Sequence, residues 1–301
     1  MYDVLIIGGG PAGMTAAIYA ARANTKVAMI EYSAPGGQMV NTFTIDNYPG
    51  FTSINGADLS LQMLNQVMEL DVEFIADQIV SLKRDSDNNF MLKGTENIYS
   101  AKSVIIATGT KNKNLGVLGE QKFDGRGISY CAVCDGNLYK DREVAVVGGG
   151  NSALEESIYL SSIASKVYII HRRNEFRGDQ KYVEKLKEIN NVEFVLNTVI
   201  TEFKGSEILD CLSLKNVSTN KTSELKVAAC FEYVGQDPNT SFVKDLGITN
   251  EFGYIIVDEN CETSINKLFA AGDVIEKNIR QITTAVADGS IAALNAVRKV
   301  N

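Results

Sequence analysis

The strongest constraint on the fold is a pattern that occurs twice: an apolar strand, a glycine-rich turn and a helix. Residues 4–13 read VLIIGGGPAG, and residues 144–153 read VAVVGGGNSA. Continuous apolar runs rich in β-branched residues are typical of parallel strands that are buried on both faces. Since a parallel strand needs a crossover helix before the next strand, each copy predicts a strand–turn–helix–strand unit.

Both copies continue as this prediction requires. In the first, a helix is predicted from Pro11 to about Ala23, and the strand KVAMIE then ends at Glu31. In the second, a helix from about Ser152 to Ile163 leads into the strand KVYIIHRR. Two such units in one chain indicate two nucleotide-binding lobes.

The remaining segments define the domain organisation. DVEFIADQIVSLKRDSDNNFMLKG alternates as antiparallel strands do, whereas SVIIATGT and LFAAGDV are typical of buried strands that end in glycine turns. A helix from about Thr283 to Val297 follows, and the polar breaks KNKN and GQDPNT indicate linkers. We therefore predict an α/β protein with two Rossmann-like dinucleotide-binding domains, each a parallel sheet with helices and an antiparallel β-meander crossover. The second domain (113–238) is inserted into the first (1–112 and 239–301).

Composition and charge limit the partners. The 301 residues are enough for two domains, and 45% of them are apolar, as in globular proteins. A net charge of −8 argues against binding to nucleic acid or to an anionic membrane. No apolar run approaches the roughly 20 residues of a membrane span, and the N-terminus lacks the basic start of a signal peptide. We expect a cytoplasmic protein, whose five cysteines are reduced unless they are catalytic.

The glycines of the first unit fit the dinucleotide-binding pattern G-x-G-x-x-G. Gly8 makes the tight turn, Gly10 lets a pyrophosphate approach the main chain, and Gly13 lets helix and strand pack closely. The helix N-terminus then presents free N–H groups to the phosphates. Glu31 follows about 20 residues on, where a carboxylate accepts the ribose hydroxyls.

The second unit has the variant G-x-G-x-x-A, formed by Gly148, Gly150 and Ala153. Where an NAD-binding domain carries an acid, at the end of its second strand, this chain has a basic cluster: His171, Arg172, Arg173 and, a turn later, Arg177. Guanidinium groups bind a 2′-phosphate through bidentate bonds, whereas a carboxylate would repel it. This unit should therefore prefer NADPH to NADH.

Other turns of the first domain indicate a different nucleotide, a flavin. Asp273, in AAGD at the end of a strand, is placed to hold a polyol hydroxyl of a flavin cofactor. The segments ATG, AAGD and APGGQ contribute further turn residues: Gly109, Gly272, Gly36, Gly37 and Gln38.

The stretch SYCAVCDG contains a C-x-x-C pair, Cys131 and Cys134. A zinc site needs four ligands, and the sequence has no second cysteine pair and a single histidine, so no metal is expected. A permanent structural disulfide does not suit the cytoplasm. We interpret the pair as a dithiol that cycles, because C-x-x-C spacing depresses one thiol pKa, and Asp135 is placed to relay a proton.

Taken together, these features resemble the low-molecular-weight thioredoxin reductases, which are FAD-dependent pyridine nucleotide-disulfide oxidoreductases. The resemblance covers nearly the whole chain and rests on GGGPAG, GGQ, CAVCDG, GGGNSALEE, HRRNEFR, FAAGDV and RQ, in that order. Its most specific element is the position of the C-x-x-C pair inside the NADPH-binding domain.

The resemblance implies an enzyme, a thioredoxin-disulfide reductase. Electrons would pass from NADPH through FAD and the Cys131–Cys134 pair to oxidised thioredoxin, with Cys134 facing the flavin, Cys131 attacking thioredoxin and Asp135 acting as the acid. The family also implies a homodimer, and a rotation of one domain against the other about two hinges, for which KNKN and GQDPNT are the candidates.

The resemblance further implies two sets of binding residues. Those for FAD are Gly8, Gly10, Gly13, Glu31, Gly36, Gly37, Gln38, Asn47, Gly109, Gly272, Asp273, Arg280 and Gln281. Those for NADPH are Gly148, Gly150, Asn151, Ala153, His171, Arg172, Arg173 and Arg177.

Two departures from the family pattern leave alternatives open. Asn137 and Leu138 stand where many members carry aromatic residues that help to dock thioredoxin, and Leu118 stands where relatives commonly have proline. The alternatives are a flavin disulfide reductase for another partner, such as a glutaredoxin-like protein or a peroxiredoxin, and a non-catalytic NADP-sensing protein. A ferredoxin–NADP reductase is disfavoured because relatives with that activity lack the C-x-x-C pair.

Overall fold

The computed structural model describes residues 1–42 and 45–300, which divide into two compact units. Unit 1 comprises Met1–Lys111 and the described chain from Asp237 onward, and unit 2 is Asn112–Gln236. The sequence prediction placed the same two boundaries one and two residues later. The chain leaves unit 1 through a short strand, β7 (Thr110–Asn112), and returns through another, β16 (Gln236–Pro238).

Unit 1 is built on a seven-stranded sheet. Its strands are β1 (Tyr2–Ile7), β2 (Val27–Glu31), β3 (Glu73–Ala76), β4 (Ile79–Arg84), β5 (Phe90–Gly94), β6 (Ile98–Ile106) and β17 (Leu268–Ala270). The order is β3–β2–β1–β6–β5–β4, and β17 pairs with the second half of β6. Strands β1, β2, β3, β6 and β17 run parallel, while β4, β5 and β6 form an antiparallel meander.

The meander corrects one detail of the sequence prediction. The alternating stretch from Asp71 to Gly94 was expected to be antiparallel throughout, and this holds for β4 and β5. Its first strand, β3, instead pairs with β2 in parallel register. Alternation reports that one face of a strand is buried, and it carries no information about the direction of the partner strand.

The helices of unit 1 are α1 (Pro11–Arg22), α2 (Gly56–Met68) and α7 (Ile282–Val300). Most of helix α1 is buried, since it packs between the sheet and α7. The contact with α7 is close because Gly289 faces the start of α1: a Cβ at Gly289 would lie 2.2 Å from the carbonyl oxygen of Ala12. This packing fixes the N-terminus of α1 above the carboxyl ends of the parallel strands.

Unit 2 contains a five-stranded parallel sheet. Its strands are β8 (Ile128–Ser129), β9 (Glu143–Gly148), β10 (Lys166–Ile170), β11 (Val192–Val195) and β15 (Ala229–Tyr233), in the order β11–β10–β9–β15–β8. The helices are α3 (Glu120–Phe123), α4 (Ala132–Asp135), α5 (Asn151–Ser161) and α6 (Gln180–Lys187). A separate antiparallel sheet consists of β12 (Thr198–Gly205), β13 (Leu209–Asn216) and β14 (Thr222–Lys226).

The parallel register of unit 2 brings several chain segments to one edge. Strand β15 pairs with both β8 and β9, with Phe231 opposite Ser129 and Tyr233 opposite Gly148. Because the carboxyl ends of parallel strands meet at the same edge of a sheet, α4, the glycine turn after β9 and Tyr233 are neighbours. No helix among the described residues is long and apolar enough to cross a membrane.

A buried pair of carboxyl groups lies elsewhere in unit 2. Glu232 on β15 is 3% exposed, and burial, with the Glu120 carboxyl beside it, raises the pKa of Glu232 to about 9. Glu120 in turn accepts hydrogen bonds from the N–H groups of Leu115 (2.6 Å) and Gly116 (2.7 Å). Glu232 is therefore protonated at neutral pH in the folded chain.

This proton makes unit 2 sensitive to alkali. From about pH 4.5 to about 9 the folded chain holds a proton that the unfolded chain has released, so the free energy of unfolding falls as pH rises. Glu232→Gln removes this dependence. At pH 8.5 it should therefore raise the free energy of unfolding by more than about 1 kcal/mol, measured as a higher midpoint of urea denaturation. The exposed Glu207 supplies the control variant, Glu207→Gln. Equal pH slopes of wild type and Glu232→Gln would contradict the assignment.

Candidate active site

The glycine turn after β1 combines tight contacts with one open position. A Cβ at Gly8, where φ is +109°, would lie 2.3 Å from the Ala107 carbonyl oxygen, and a Cβ at Gly13 would lie 1.8 Å from the Gly8 carbonyl oxygen. At Gly10, which precedes α1, an added Cβ would meet no described heavy atom within 4 Å. The main chain at the start of α1 therefore faces a space into which a phosphate fits.

Glu31, at the end of β2, holds this turn in place. Its Oε2 accepts a hydrogen bond from the Gly9 N–H (2.7 Å), and its Oε1 accepts from the N–H (2.9 Å) and hydroxyl (3.0 Å) of Ser33. A carboxylate offers about four acceptor sites, so a ribose hydroxyl can still bind. The sequence predicted only the ribose contact, and the structure adds a structural role in the turn.

Two further predicted segments lie beside the same turn. The Gly36 N–H donates to the Gly9 carbonyl (2.8 Å), which places the APGGQ segment against the first glycine turn. Gly36 and Gly37 have φ of +119° and +58°, conformations that glycine adopts without strain. The Gln38 side chain donates from Nε2 to the Thr110 carbonyl (2.7 Å), next to Gly109.

The AAGD turn also meets α1, because a Cβ at Gly272 would lie 2.8 Å from the Ala12 Cβ. Asp273 follows, and its Oδ1 is buried with no hydrogen-bond partner among the described residues. Burial raises the pKa of Asp273, although the cations of Lys277 and Arg280 oppose the shift. A buried acceptor without a donor is costly, so this atom fits a hydroxyl of the bound cofactor.

The segment after Asp273 folds back on that turn. The Arg280 guanidinium donates to main-chain carbonyls, among them that of Lys277 (3.0 Å), and lies over the ring of Tyr254. Gln281 next to it accepts a hydrogen bond from the Asn47 side chain (3.2 Å). The predicted FAD residues of unit 1 thus form connected groups around the N-terminus of α1, and they fit the cofactor that the sequence indicates.

The second glycine turn repeats the open position of the first. Gly150 precedes α5, and a Cβ there would meet no described heavy atom within 4 Å. The loop after β10 folds onto this turn, since the N–H groups of Arg177 (2.8 Å) and Gly178 (3.1 Å) donate to the Gly149 carbonyl. The Asn151 side chain accepts from the Asp179 N–H (2.7 Å) and fixes the other end of the loop.

This loop presents the predicted phosphate-binding cations to solvent. Arg172, Arg173 and Arg177 are all exposed. His171 differs, because it is 7% exposed and its ring stacks on Phe176 at 5.0 Å. A Cβ at Gly149 would lie 2.1 Å from the His171 ring, so the histidine fills the space beneath the turn that Glu31 occupies in unit 1.

The environment of His171 keeps the imidazole neutral. Burial lowers its pKa, the nearby Arg172 and Arg173 lower it further, and hydrogen bonds with the carbonyls of Glu175 and Gly148 offset this only in part. The sequence placed His171 with the arginines as a ligand for the 2′-phosphate. In the structure its ring packs beneath the glycine turn, and the exposed cations of the loop are the arginines.

The C-x-x-C pair forms a disulfide on the single turn of α4. Cys131 precedes the turn, and its Sγ accepts a hydrogen bond from the Cys134 N–H (3.2 Å). Asp135 accepts from the Ser129 hydroxyl at Oδ2 (2.6 Å). Burial raises the pKa of Asp135, and this hydrogen bond opposes the shift in part, so the carboxyl is better able to hold a proton than an exposed aspartate is.

The remaining cysteines and acids do not extend the site. Cys211, Cys230 and Cys261 are free thiols, of which Cys230 and Cys261 are buried. Burial raises the pKa of all three thiols, so they are unreactive compared with an activated cysteine. The described residues contain no group of three His, Cys, Asp or Glu side chains able to hold a metal ion.

Comparisons with known proteins identify the family of the chain. The sequence profile of the pyridine nucleotide-disulphide oxidoreductase family matches residues 2–289. A thioredoxin reductase of Listeria innocua is 45% identical over 302 residues, which cover 100% of this chain and 94% of the relative. Among solved structures, thioredoxin reductase from Streptococcus pyogenes superposes with a TM-score of 0.94 at 45% identity, covering 99% of this chain and 97% of that one.

The likeness extends to a more distant organism. Thioredoxin reductase from Giardia duodenalis is 37% identical and superposes with a TM-score of 0.92, covering 99% of this chain and 98% of that one. Sequence identity of 37–45% over nearly the whole chain indicates a common family and not only a common fold. The chain therefore belongs to the pyridine nucleotide-disulphide oxidoreductase family, as a relative of the thioredoxin reductases.

Proposed function

We propose that this protein is a thioredoxin-disulfide reductase, in which electrons from NADPH reach the Cys131–Cys134 disulfide by way of FAD and leave it to reduce thioredoxin. The observation that carries the proposal is the disulfide on α4, at the sheet edge that also holds the second glycine turn. The thioredoxin reductase relatives support the choice of partner. The predicted cytoplasmic location and homodimer rest on the sequence and stay predictions.

The two cofactors have separate binding sites. The start of α1, Glu31 and Asp273 would hold FAD, and the start of α5 with the exposed arginines would hold NADPH. When bound, FAD would supply the two-electron chemistry that links hydride from NADPH to reduction of a disulfide.

The chain's own residues carry out the disulfide exchange. Reduction breaks the Sγ–Sγ bond with two electrons, and the sulfurs then take up protons to give two thiols. The Cys134 N–H that points at Cys131 Sγ favours the thiolate there, which supports Cys131 as the attacking sulfur. Attack on the disulfide of thioredoxin forms a mixed disulfide and releases one thioredoxin thiolate.

The second half of the exchange restores the starting state. Cys134 attacks the Cys131 side of the mixed disulfide, which re-forms the internal bond and releases the second thioredoxin thiolate. Each departing thiolate needs a proton, and Asp135 is next to Cys134 in the chain with a pKa raised by burial. Ser129 holds the Asp135 carboxyl through its hydroxyl, which fixes where that proton is delivered.

A different disulfide protein is the second candidate for the partner. Val133 and Leu138 beside the disulfide are 41% and 51% exposed, so two apolar side chains are accessible next to the redox pair. This region lacks aromatic side chains at Asn137 and Leu138, where many family members have them. A glutaredoxin-like protein or a peroxiredoxin would then be the acceptor, through the same exchange chemistry.

The first prediction concerns the complete electron path. Under anaerobic conditions NADPH should bleach the flavin absorbance of the purified protein, and oxidised thioredoxin from the same source should restore it. In Cys131→Ser, NADPH should still bleach the flavin, but thioredoxin should not restore it. Cys211→Ser changes another half-buried cysteine of unit 2 and should behave as wild type.

The outcomes separate the alternatives. Absence of bleaching by NADPH would overturn the nucleotide assignment. Bleaching followed by recovery with a glutaredoxin or a peroxiredoxin, but not with thioredoxin, would reassign the partner. Full recovery in Cys131→Ser would show that electrons leave by a route other than the disulfide.

The second prediction concerns the choice of nucleotide. Replacing both Arg172 and Arg173 by alanine should raise the KM for NADPH by at least about ten- to a hundredfold, which is the effect of losing even one charge-assisted bond of roughly 1.5–3 kcal/mol. The KM for NADH should stay unchanged, because NADH has no 2′-phosphate. Lys181→Ala removes another exposed cation of unit 2 and serves as the control. An equal loss with both nucleotides would contradict a phosphate-binding role for the two arginines.

A further inference from the structure

The disulfide turn has a contact that the exchange mechanism above does not use. The N–H of Ala132, the first residue of α4, donates a hydrogen bond to the Tyr233 hydroxyl oxygen (2.7 Å). Tyr233 is the last residue of β15, and its main chain lies against the second glycine turn, where a Cβ at Gly148 would be 2.7 Å from the Tyr233 carbonyl oxygen. A single side chain therefore joins the end of the sheet to the residue after Cys131.

A carboxyl group of α5 completes this contact. Glu156 interacts with two donors, the Val133 N–H and the Tyr233 hydroxyl. Its Oε2 is buried and has no partner among the described residues. Burial raises the pKa of Glu156, and the two donors oppose that shift because they favour the charged carboxylate.

The first two N–H groups of α4 both have acceptors in unit 2: the N–H of Ala132 donates to the Tyr233 hydroxyl, and the N–H of Val133 donates to the Glu156 carboxyl. Such N–H groups at the start of a helical turn normally stabilise a nearby anion, here the thiolate formed when the disulfide is reduced. Acceptors on Tyr233 and Glu156 hold the turn in position, and the negative charge of Glu156 opposes a second negative charge on Cys131. We propose that Tyr233 and Glu156 are positioning residues that fix the disulfide turn and set how readily Cys131 ionises after reduction.

The proposal rests on the proposed function only for the use that the enzyme makes of the Cys131 thiolate. The ionisation itself is measurable without NADPH or thioredoxin. Other groups also act on this region and keep their side chains in the Glu156 and Tyr233 variants: Asp135 on α4, Tyr139 and Arg142 after it, and Glu155 on α5. At pH 8 a glutamate is ionised unless its pKa is raised by nearly four units. Glu156→Gln thus removes a charge while it keeps an acceptor for the Val133 N–H.

The chain offers a matched control pair. On the surface of unit 2, the Tyr182 hydroxyl interacts with Glu155, the residue just before Glu156 on the same helix. Glu155→Gln and Tyr182→Phe therefore repeat both chemical changes at a tyrosine–glutamate pair that joins α5 to α6.

The experiment follows alkylation of the chemically reduced, FAD-loaded protein by iodoacetamide across pH, with Cys131 identified by peptide mass spectrometry. In Glu156→Gln the midpoint of the pH–rate profile should fall by roughly half to one unit, a three- to tenfold change in the ionisation constant. Tyr233→Phe should shift it in the same direction by less, because the Ala132 N–H loses its acceptor and becomes free to stabilise the Cys131 thiolate. Glu155→Gln and Tyr182→Phe should leave the midpoint in place.

The reduction potential of the Cys131–Cys134 couple gives a second, independent readout, measured by equilibration of the same variants with glutathione redox buffers. In Glu156→Gln the couple should be less reducing than in wild type. Its equilibrium constant should change by about three- to tenfold, or about 15–30 mV. An unchanged midpoint and potential in Glu156→Gln would overturn the proposal. Equal shifts in Glu155→Gln would do the same, since the effect would then be general surface charge. If Glu156→Gln does not fold, the isosteric Tyr233→Phe decides by the same criteria.

Failure of this proposal is distinguishable from failure of the proposed function. Wild-type protein that reduces thioredoxin, together with unshifted alkylation midpoints, would remove the role of Tyr233 and Glu156 alone. Shifted midpoints in a protein that does not reduce thioredoxin would keep that role and change the partner.

Discussion

Main-chain N–H groups at the start of a helix need an acceptor, and in both units that requirement shapes the site. Each of the two long helices that follow a glycine turn, α1 and α5, begins after a glycine with no side-chain cap, Gly10 or Gly150. At both glycines, the place that a Cβ would occupy is open space. An anion is the acceptor that fits there, and a dinucleotide supplies one. The tight contacts at Gly8 and Gly13 keep that opening at the end of the sheet.

The residue that supports each turn differs between the units, and this difference separates their chemistry. In unit 1 the Glu31 carboxylate accepts the Gly9 N–H, whereas in unit 2 the neutral His171 ring packs against Gly149. A carboxylate near a ribose suits a nucleotide without a 2′-phosphate. The imidazole leaves the arginines of the following loop as the charged groups, which suits a nucleotide with one.

Unit 2 adds the redox group to the same edge of its sheet. The C-x-x-C turn follows β8, the glycine turn follows β9, and Tyr233 ends the strand between them. The parallel register therefore places a nucleotide site and a disulfide within one rigid sheet edge. Tyr233 contacts both, so a residue outside every motif joins the glycine turn to the disulfide turn.

The sequence predicted those features of the fold that depend on interactions between residues close together in the chain. The buried strands, the helices after each glycine turn and the turn that carries Asp273 were predicted correctly, because apolar runs, glycine spacing and turn chemistry act over a few residues. Pairing between distant segments was not visible. The parallel partner of β3, the separate sheet of β12, β13 and β14, and the burial of His171 depend on tertiary contacts. Glu156 and Tyr233 were missed for the same reason: their positions beside α4 arise only when α5 and β15 pack together.

The central claim, that separate nucleotide sites supply electrons to one cycling disulfide, is tested most directly by counting electrons. Anaerobic titration of the FAD-loaded protein with NADPH should require about two equivalents per chain, because FAD and the Cys131–Cys134 disulfide are each two-electron couples. The double variant Cys131→Ser/Cys134→Ser should require about one. If wild type and the double variant required the same amount of NADPH, the account would be contradicted, since the disulfide would then lie outside the electron path.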